Sequence, residues 1–240
     1  MGRIPRLGAH TQRPVCRATT PKNQSILIHQ SGLPPNDPND PGYSTDYSSP
    51  AIRYADGSYE MDSWHIIQKL EKQYPTPSLH LDDPIVEKLR TITIVKPLVP
   101  HLIPKVPRLL LSKVSADYFY LTREEAFGKP LEQVEREATE EQWEEMKPIA
   151  QEIGNLLREK SGPFFLGDTS KSAVRLCCFS TTCLCSHTDE CAVSYADVIF
   201  VTYLKFLERL GADIFERYLA LDPEFPKVYD ACKEWLARED

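Results

Sequence analysis

Residues 50–81, PAIRYADGSYEMDSWHIIQKLEKQYPTPSLHL, restrict the fold more than any other stretch of the chain. A proline leads into a short apolar strand, Asp56-Gly57 turns the chain, and a second short strand follows. Asp62-Ser63 then opens an amphipathic helix. Asp-Gly between strand-like runs is a strong hairpin signal, because both central residues of the favoured turn need φ > 0. Asp62 is placed to cap the helix, with Met61 and Ile66 as a hydrophobic staple. Ile67, Leu70 and Tyr74 recur at i, i+3 and i+7 and predict its buried stripe. A helix opening with Asp-Ser is an anion site in outline: a hydroxyl and free backbone N–H groups at a positive dipole end.

The rest of the chain reads as helix. Asp83-Pro84 predicts a helix start, since proline suits the first helical position. Prolines 97, 100, 104 and 107 predict a broken stretch, because an interior proline removes a hydrogen bond and costs ~3 kcal/mol. A helix is expected to resume over 108–120, with Thr122 and Glu125 as a possible capping box. Residues 131–160 predict one long helix, kinked at Pro148, with Trp143, Met146, Ile149, Ile153, Leu156 and Leu157 on its apolar side. Ser194 and Asp197 form a second capping pair, with Val193 stapled to Val198. Helices are expected over 194–210, 213–221 and 226–237. Residues 34–43, PPNDPNDPGY, are loop.

Charge excludes some classes. The net charge is −7. The first 30 residues hold Arg3, Arg6, Arg13, Arg17 and Lys22 and no acid, so the body is more acidic still. An acidic body argues against nucleic-acid binding. No apolar run approaches the ~18–20 residues that span a bilayer, and the start lacks the apolar core of a secretory signal.

The hairpin, the Asp62-Ser63 helix start and the wording MDSWHIIQKLEKQYPTPSLHL resemble the glutathione transferases, and within them the fungal branch related to bacterial β-etherases. The resemblance resumes at TREEAFGKP (122–130), at SGPFFLGDT (161–169) and from SYADVIF to the end. It implies an α/β plus all-α fold: an incomplete thioredoxin-like N-terminal domain at 33–80, then an all-helical C-terminal domain at 84–240. Residues 1–32 match nothing in that pattern and read as a basic, disordered segment. The resemblance further implies glutathione as co-substrate, held by Ser49, Pro50, Asp62 and Ser63. A cis-proline loop would bind the cysteinyl backbone and the acid-Ser pair the γ-glutamyl end. Ser49 departs from relatives, which usually place valine there. A small apolar electrophile, a homodimer and a detoxifying role in the cytoplasm are implied in the same way; no metal is.

Relatives begin with a β1-α1-β2 unit carrying the thiol-activating residue, which this chain is expected to lack. That residue matters because a free thiol has a pKa near ~8.5 and must be held as thiolate. Cys16 and Ser25 are the tempting candidates there, and an unremarkable place in a tail suits both better. The catalytic residue is therefore unassigned. Two readings stay open: a glutathione transferase performing conjugation or ether cleavage, and a non-catalytic ligand-binding or scaffold protein of that fold or an inactive product of a misdrawn gene. His65, His101 and Tyr118–Tyr120 are expected to be structural or surface residues rather than catalytic ones. A sheet of two strands is marginal alone, so this one would have to lean on the helical domain.

Five of the seven cysteines (Cys177, Cys178, Cys183, Cys185, Cys191) crowd one window between Thr169 and Ser194, where relatives run straight from GDT into a helix. Sparse cysteine elsewhere fits a reducing compartment. The window, 170–193, reads as a surface insertion, as a metal or redox site with His187, or as a retained intron. Its spacing lacks the paired C-x2-C of zinc sites. Ser170-Lys171-Ser172 can encode a splice donor and Ala192-Val193 an acceptor, and removal between them keeps frame; this favours the intron. Transcript sequencing is expected to show a predominant message without the window, and a predominant message that retains it would overturn that reading.

Overall fold

The computed structural model describes residues 32–40, 46–48, 50–54, 56–92, 94–167 and 193–237. The Cys-rich window up to residue 192, Cys16, Ser25 and Ser49 lie outside them. The chain divides into two compact units, Met1–Lys69 and Leu70–Asp240.

In the first unit, strands β1 (Ala51–Arg53) and β2 (Tyr59–Met61) pair antiparallel, Ala51 opposite Met61 and Arg53 opposite Tyr59. The turn between them differs from the expected one. Gly57 takes a positive φ of 87°, but Asp56 does not. The Gly57 N–H donates to the Tyr54 carbonyl at 3.0 Å and the Tyr54 N–H to the Ser58 carbonyl at 2.8 Å. A tight turn followed by a left-handed glycine is the longer hairpin loop rather than the two-residue one. Asp56 selects it by accepting from the Ser58 N–H at 2.8 Å and the Ser58 hydroxyl at 2.6 Å. Lys69 bridges to Glu60 at 3.2 Å and lies 3.8 Å over the Tyr54 ring.

Helix α1 (Ser63–Gln73) follows β2 directly. Met61 and Ile66 are both buried, as the staple requires. The predicted stripe is shallower than expected: Ile67 and Leu70 are half-buried and Tyr74 is exposed, because the helix ends at Gln73.

The second unit is helical. Asp83 caps α2 (Pro84–Thr91), accepting from the Ile85 N–H at 3.0 Å. The proline-rich stretch becomes a chain of single turns: a 3-10 turn (Lys96–Leu98), α3 (Val99–Leu102), a second 3-10 turn (Ile103–Lys105) and α4 (Val106–Leu109). Each begins with its proline in the first two positions, where a missing N–H leaves nothing unpaired. Helix α5 (Lys113–Phe127) runs on until Gly128 takes the left-handed φ of 66°. Thr122 sits inside α5 and donates to the Tyr118 carbonyl at 3.0 Å, so it caps nothing.

The expected 131–160 helix is two, α6 (Leu131–Arg136) and α7 (Glu140–Arg158). A capping box unseen in the sequence, Thr139 with Gln142, separates them. Pro148 lies within α7, and Trp143, Met146, Ile153, Leu156 and Leu157 are buried as predicted. After α8 (Tyr195–Leu210) and α9 (Ala212–Leu219), the final expected helix divides at Cys232 into α10 (Glu224–Ala231) and α11 (Lys233–Leu236). No helix among the described residues is long and apolar enough to cross a membrane. The core is α2, α7 and α8 around Leu89, Met146, Ile153, Phe200 and Leu204, all 2% exposed or less.

One polar joint fixes α7 to the turn before α10. Asp222, 5% exposed, receives the Arg158 guanidinium through two bonds of 2.8 and 3.0 Å. The same carboxylate accepts from the Glu224 N–H at 2.9 Å. Gly154 makes room for it: a Cβ there would lie 1.9 Å from an Asp222 carboxylate oxygen. Gly154→Ala is therefore expected to destabilise the protein by about 1–3 kcal/mol, although alanine is the better helix former. Urea unfolding measures this, and a stability equal to or above wild type would contradict the joint.

Candidate functional site

The α1 N-terminus is built by Asp62. Its φ of 71° is uncommon for a residue with a Cβ, and three hydrogen bonds hold it there. The Asp62 N–H donates to the Pro50 carbonyl at 3.2 Å, and the Asp62 carbonyl accepts from the Ile66 N–H at 3.0 Å. The carboxylate accepts from the Trp64 N–H at 2.8 Å. Capping and kink together swing the first turn of α1 beside the entry to β1. Pro50 and Ser63 are both exposed there. Strain of this kind persists only where neighbours over-determine it, and it gathers at binding sites.

Pro50, Asp62 and Ser63, separated in sequence by a hairpin, are thus brought to one edge of the first unit. Exposed N–H groups of a helix start carry partial positive charge, and a hydroxyl beside them adds a donor. The arrangement suits a carboxylate, with the Asp62 carboxylate adjacent for a cation.

The other marked residues are structural. His65 lies 3.7 Å from Asp40 on the same unit. His101, expected to face solvent, is half-buried: its Nε2 is 3.0 Å from the Thr139 carbonyl, and its ring meets Trp143 edge-on at 5.6 Å. Arg217 covers Trp143 at 4.2 Å and pairs with Glu140, which completes that cluster. None of Tyr118, Phe119 and Tyr120 is buried: Tyr118 is 46% exposed, and Phe119 stacks under the Arg123 guanidinium at 4.8 Å. No cluster of metal-ligating side chains occurs among the described residues.

The expected Ser194–Asp197 box is present and does more than cap. The Asp197 carboxylate accepts from the Ser194 N–H at 2.7 Å, the Ser194 hydroxyl at 2.9 Å and, from another segment, the Phe165 N–H at 3.0 Å. Burial pushes this carboxyl above the ordinary range, against the downward pull of those donors. The expected staple is absent: Val193 is buried, but Val198 is 41% exposed. The bond from Phe165 takes over the task of fixing the entry. A neighbouring bond, Tyr195 N–H to the Leu79 carbonyl at 2.8 Å, ties the same helix start to the segment after α1. Glu71 holds that segment, accepting from the Ser78 hydroxyl at 2.7 Å and the Leu79 N–H at 2.9 Å. Phe165, Leu79 and Glu71 lie inside the stretches that carry the resemblance, but no local pattern marked them as the partners of this helix start.

Comparisons with known proteins agree with this architecture. Residues 85–222 match the family described as glutathione S-transferase, C-terminal domain. The chain belongs to that family. No curated protein matches the chain. Among solved structures, it is similar to glutathione transferase GSTFuA2 from Phanerochaete chrysosporium, at 19% identity and a TM-score of 0.67, over 92% of this chain and 83% of that one. It is equally similar to a glutathione S-transferase of Ceriporiopsis subvermispora solved in complex with glutathione, at 21% identity and a TM-score of 0.67, over 92% and 84%. These likenesses establish the glutathione transferase fold, and the two-stranded sheet fits an incomplete thioredoxin-like unit within it.

Asp197→Ala is expected to cost about 3 kcal/mol, the loss of a cap together with a stranded buried N–H at Phe165. Calorimetry checks this, and a loss below about 1 kcal/mol would mean that the carboxylate does not join the two segments.

Proposed function

We propose that the chain binds glutathione at the α1 N-terminus and directs its thiolate to a small apolar electrophile. The observation that carries this is the Asp62 N–H bond to the Pro50 carbonyl at 3.2 Å, which sets an exposed Ser63 beside the strand entry. The α-amino acid end of a γ-glutamyl group carries one carboxylate and one ammonium. Ser63 and the free N–H groups of the first turn meet the carboxylate, and Asp62 meets the ammonium. The backbone at Ser49 and Pro50 takes the cysteinyl part of the tripeptide. The thiolate sulfur then attacks an electrophilic carbon: a C–S bond forms, and the bond to the leaving group, an ether oxygen in the cleavage variant, breaks with its electron pair. A proton from solvent or the protein neutralises the leaving oxygen.

Domains at 33–80 and 84–240, a homodimer and a reducing cytoplasmic setting belong to the same reading. Family membership and the solved relative that holds glutathione support it.

The test is retention on immobilised glutathione, with a conjugation assay alongside. Wild type is expected to be retained and to turn over, and Ser63→Ala to bind at least about tenfold more weakly, the worth of one hydrogen bond to a charged group. Retention that depends on Ser63 without turnover would favour the non-catalytic reading. Retention unaffected by Ser63→Ala would place glutathione elsewhere, and no retention would overturn the proposal.

A further inference from the structure

Helix α5 leaves most of its apolar surface in water. Of its 15 residues only Ser115 is buried. Val114, Tyr118 and Leu121 are 49%, 46% and 68% exposed, and Leu109 at the end of α4 is 55% exposed. These are four of the six large apolar side chains that the described residues expose. At about 100° per residue, Val114, Tyr118 and Leu121 fall within about 60° of one another around the helix, so they form one stripe. Ala116, Phe119, Tyr120 and Arg123 lie on the other side and are half-buried. A single chain gains nothing from such a stripe, and contiguous apolar surface of this kind marks a contact with another chain.

The charges beside the stripe say which chain. Lys113 and Asp117 lie along one edge of it, 3.6 Å apart and with side chains 89% and 68% exposed. Glu124 continues that edge and Glu125 ends the stripe itself; both are exposed. The helix is thus basic at its first residue and acidic near its last turn. A second α5, laid antiparallel about a twofold axis, presents the same edge in reverse. Lys113 of each copy then meets Glu124 and Glu125 of the other, and Tyr118 of each meets Leu121 of the other. A parallel pair would set Lys113 on Lys113.

We propose that α5 is a self-docking surface: two copies of this chain pair through Val114, Tyr118 and Leu121 of antiparallel α5 helices. The same patch serves both copies, as a closed twofold contact requires. Exposed ion pairs add little affinity, so the apolar stripe supplies the binding and the charges set its direction. One helix pair is small beside a standard interface, so the dimer exchanges with monomer at micromolar concentration. The proposal rests on the homodimer of the reading above and gives it a surface.

Sedimentation velocity of the full chain, from about 1 to 100 μM, is the test. Wild type is expected to pass from monomer to dimer. Leu121→Glu is expected to weaken association at least about a hundredfold, since both copies lose a leucine from the contact. Lys113→Glu should weaken it, and so should Glu124→Lys combined with Glu125→Lys. An equal mixture of those two variants should dimerise as wild type does, because the reversed charges again face opposites. A monomer throughout, a dimer untouched by Leu121→Glu, or a mixture no better than its parts would each overturn the proposal. A dimer that survives Leu121→Glu leaves the homodimer standing on another face. Retention on glutathione, which uses none of these residues, reports separately on the site at α1.

Discussion

The carboxylate of Asp197 organises the helical unit. It closes the first turn of α8 through Ser194 and takes the Phe165 N–H from a segment more than thirty residues earlier. A buried charge is tolerated only when donors surround it, and here the donors come from two places that must arrive together. The α8 start, the Phe164–Gly167 turn and, through Tyr195, the segment at Leu79 are thereby registered on one another. Helix α8 supplies much of the core, so this polar contact sets where the apolar one forms.

The candidate site uses a different economy. At α1 the cap and the strained backbone are the same residue, and the serine that follows it is exposed. Asp62 stabilises its helix by taking one N–H and leaves the others of that turn open. A residue that only capped could keep ordinary dihedrals; the positive φ of Asp62 is what turns the helix opening towards Pro50.

Local chemistry was readable from the sequence, and tertiary chemistry was not. Asp62, Asp83 and the Ser194–Asp197 pair announce themselves because a cap bonds within its own turn. The prolines at 97, 100, 104 and 107 foretold a broken helix for the same local reason. The hairpin was legible, but its turn type was not, because the side chain of Asp56 bonding to Ser58 chose between two loops. The division of residues 131–160 escaped because Thr139 and Gln142 look like surface residues of one continuous helix. The staple at Val198 failed because burial depends on what lies opposite, which periodicity does not record. Pro50, Asp62 and Ser63 were named together from a resemblance, and only the fold shows the bond that joins strand entry to helix start.

The joint at Gly154 bears on how such a chain drifts over generations. A position in the middle of a long helix would normally accept many small residues, yet here the room it leaves is filled by a carboxylate from position 222. A side chain at 154 becomes tolerable only once the residue at 222 has shortened, and Arg158 then loses the acid that holds it. The three positions are expected to change as a set or not at all. A relative that replaces the glycine should therefore also show a different residue at 222 and freedom at 158.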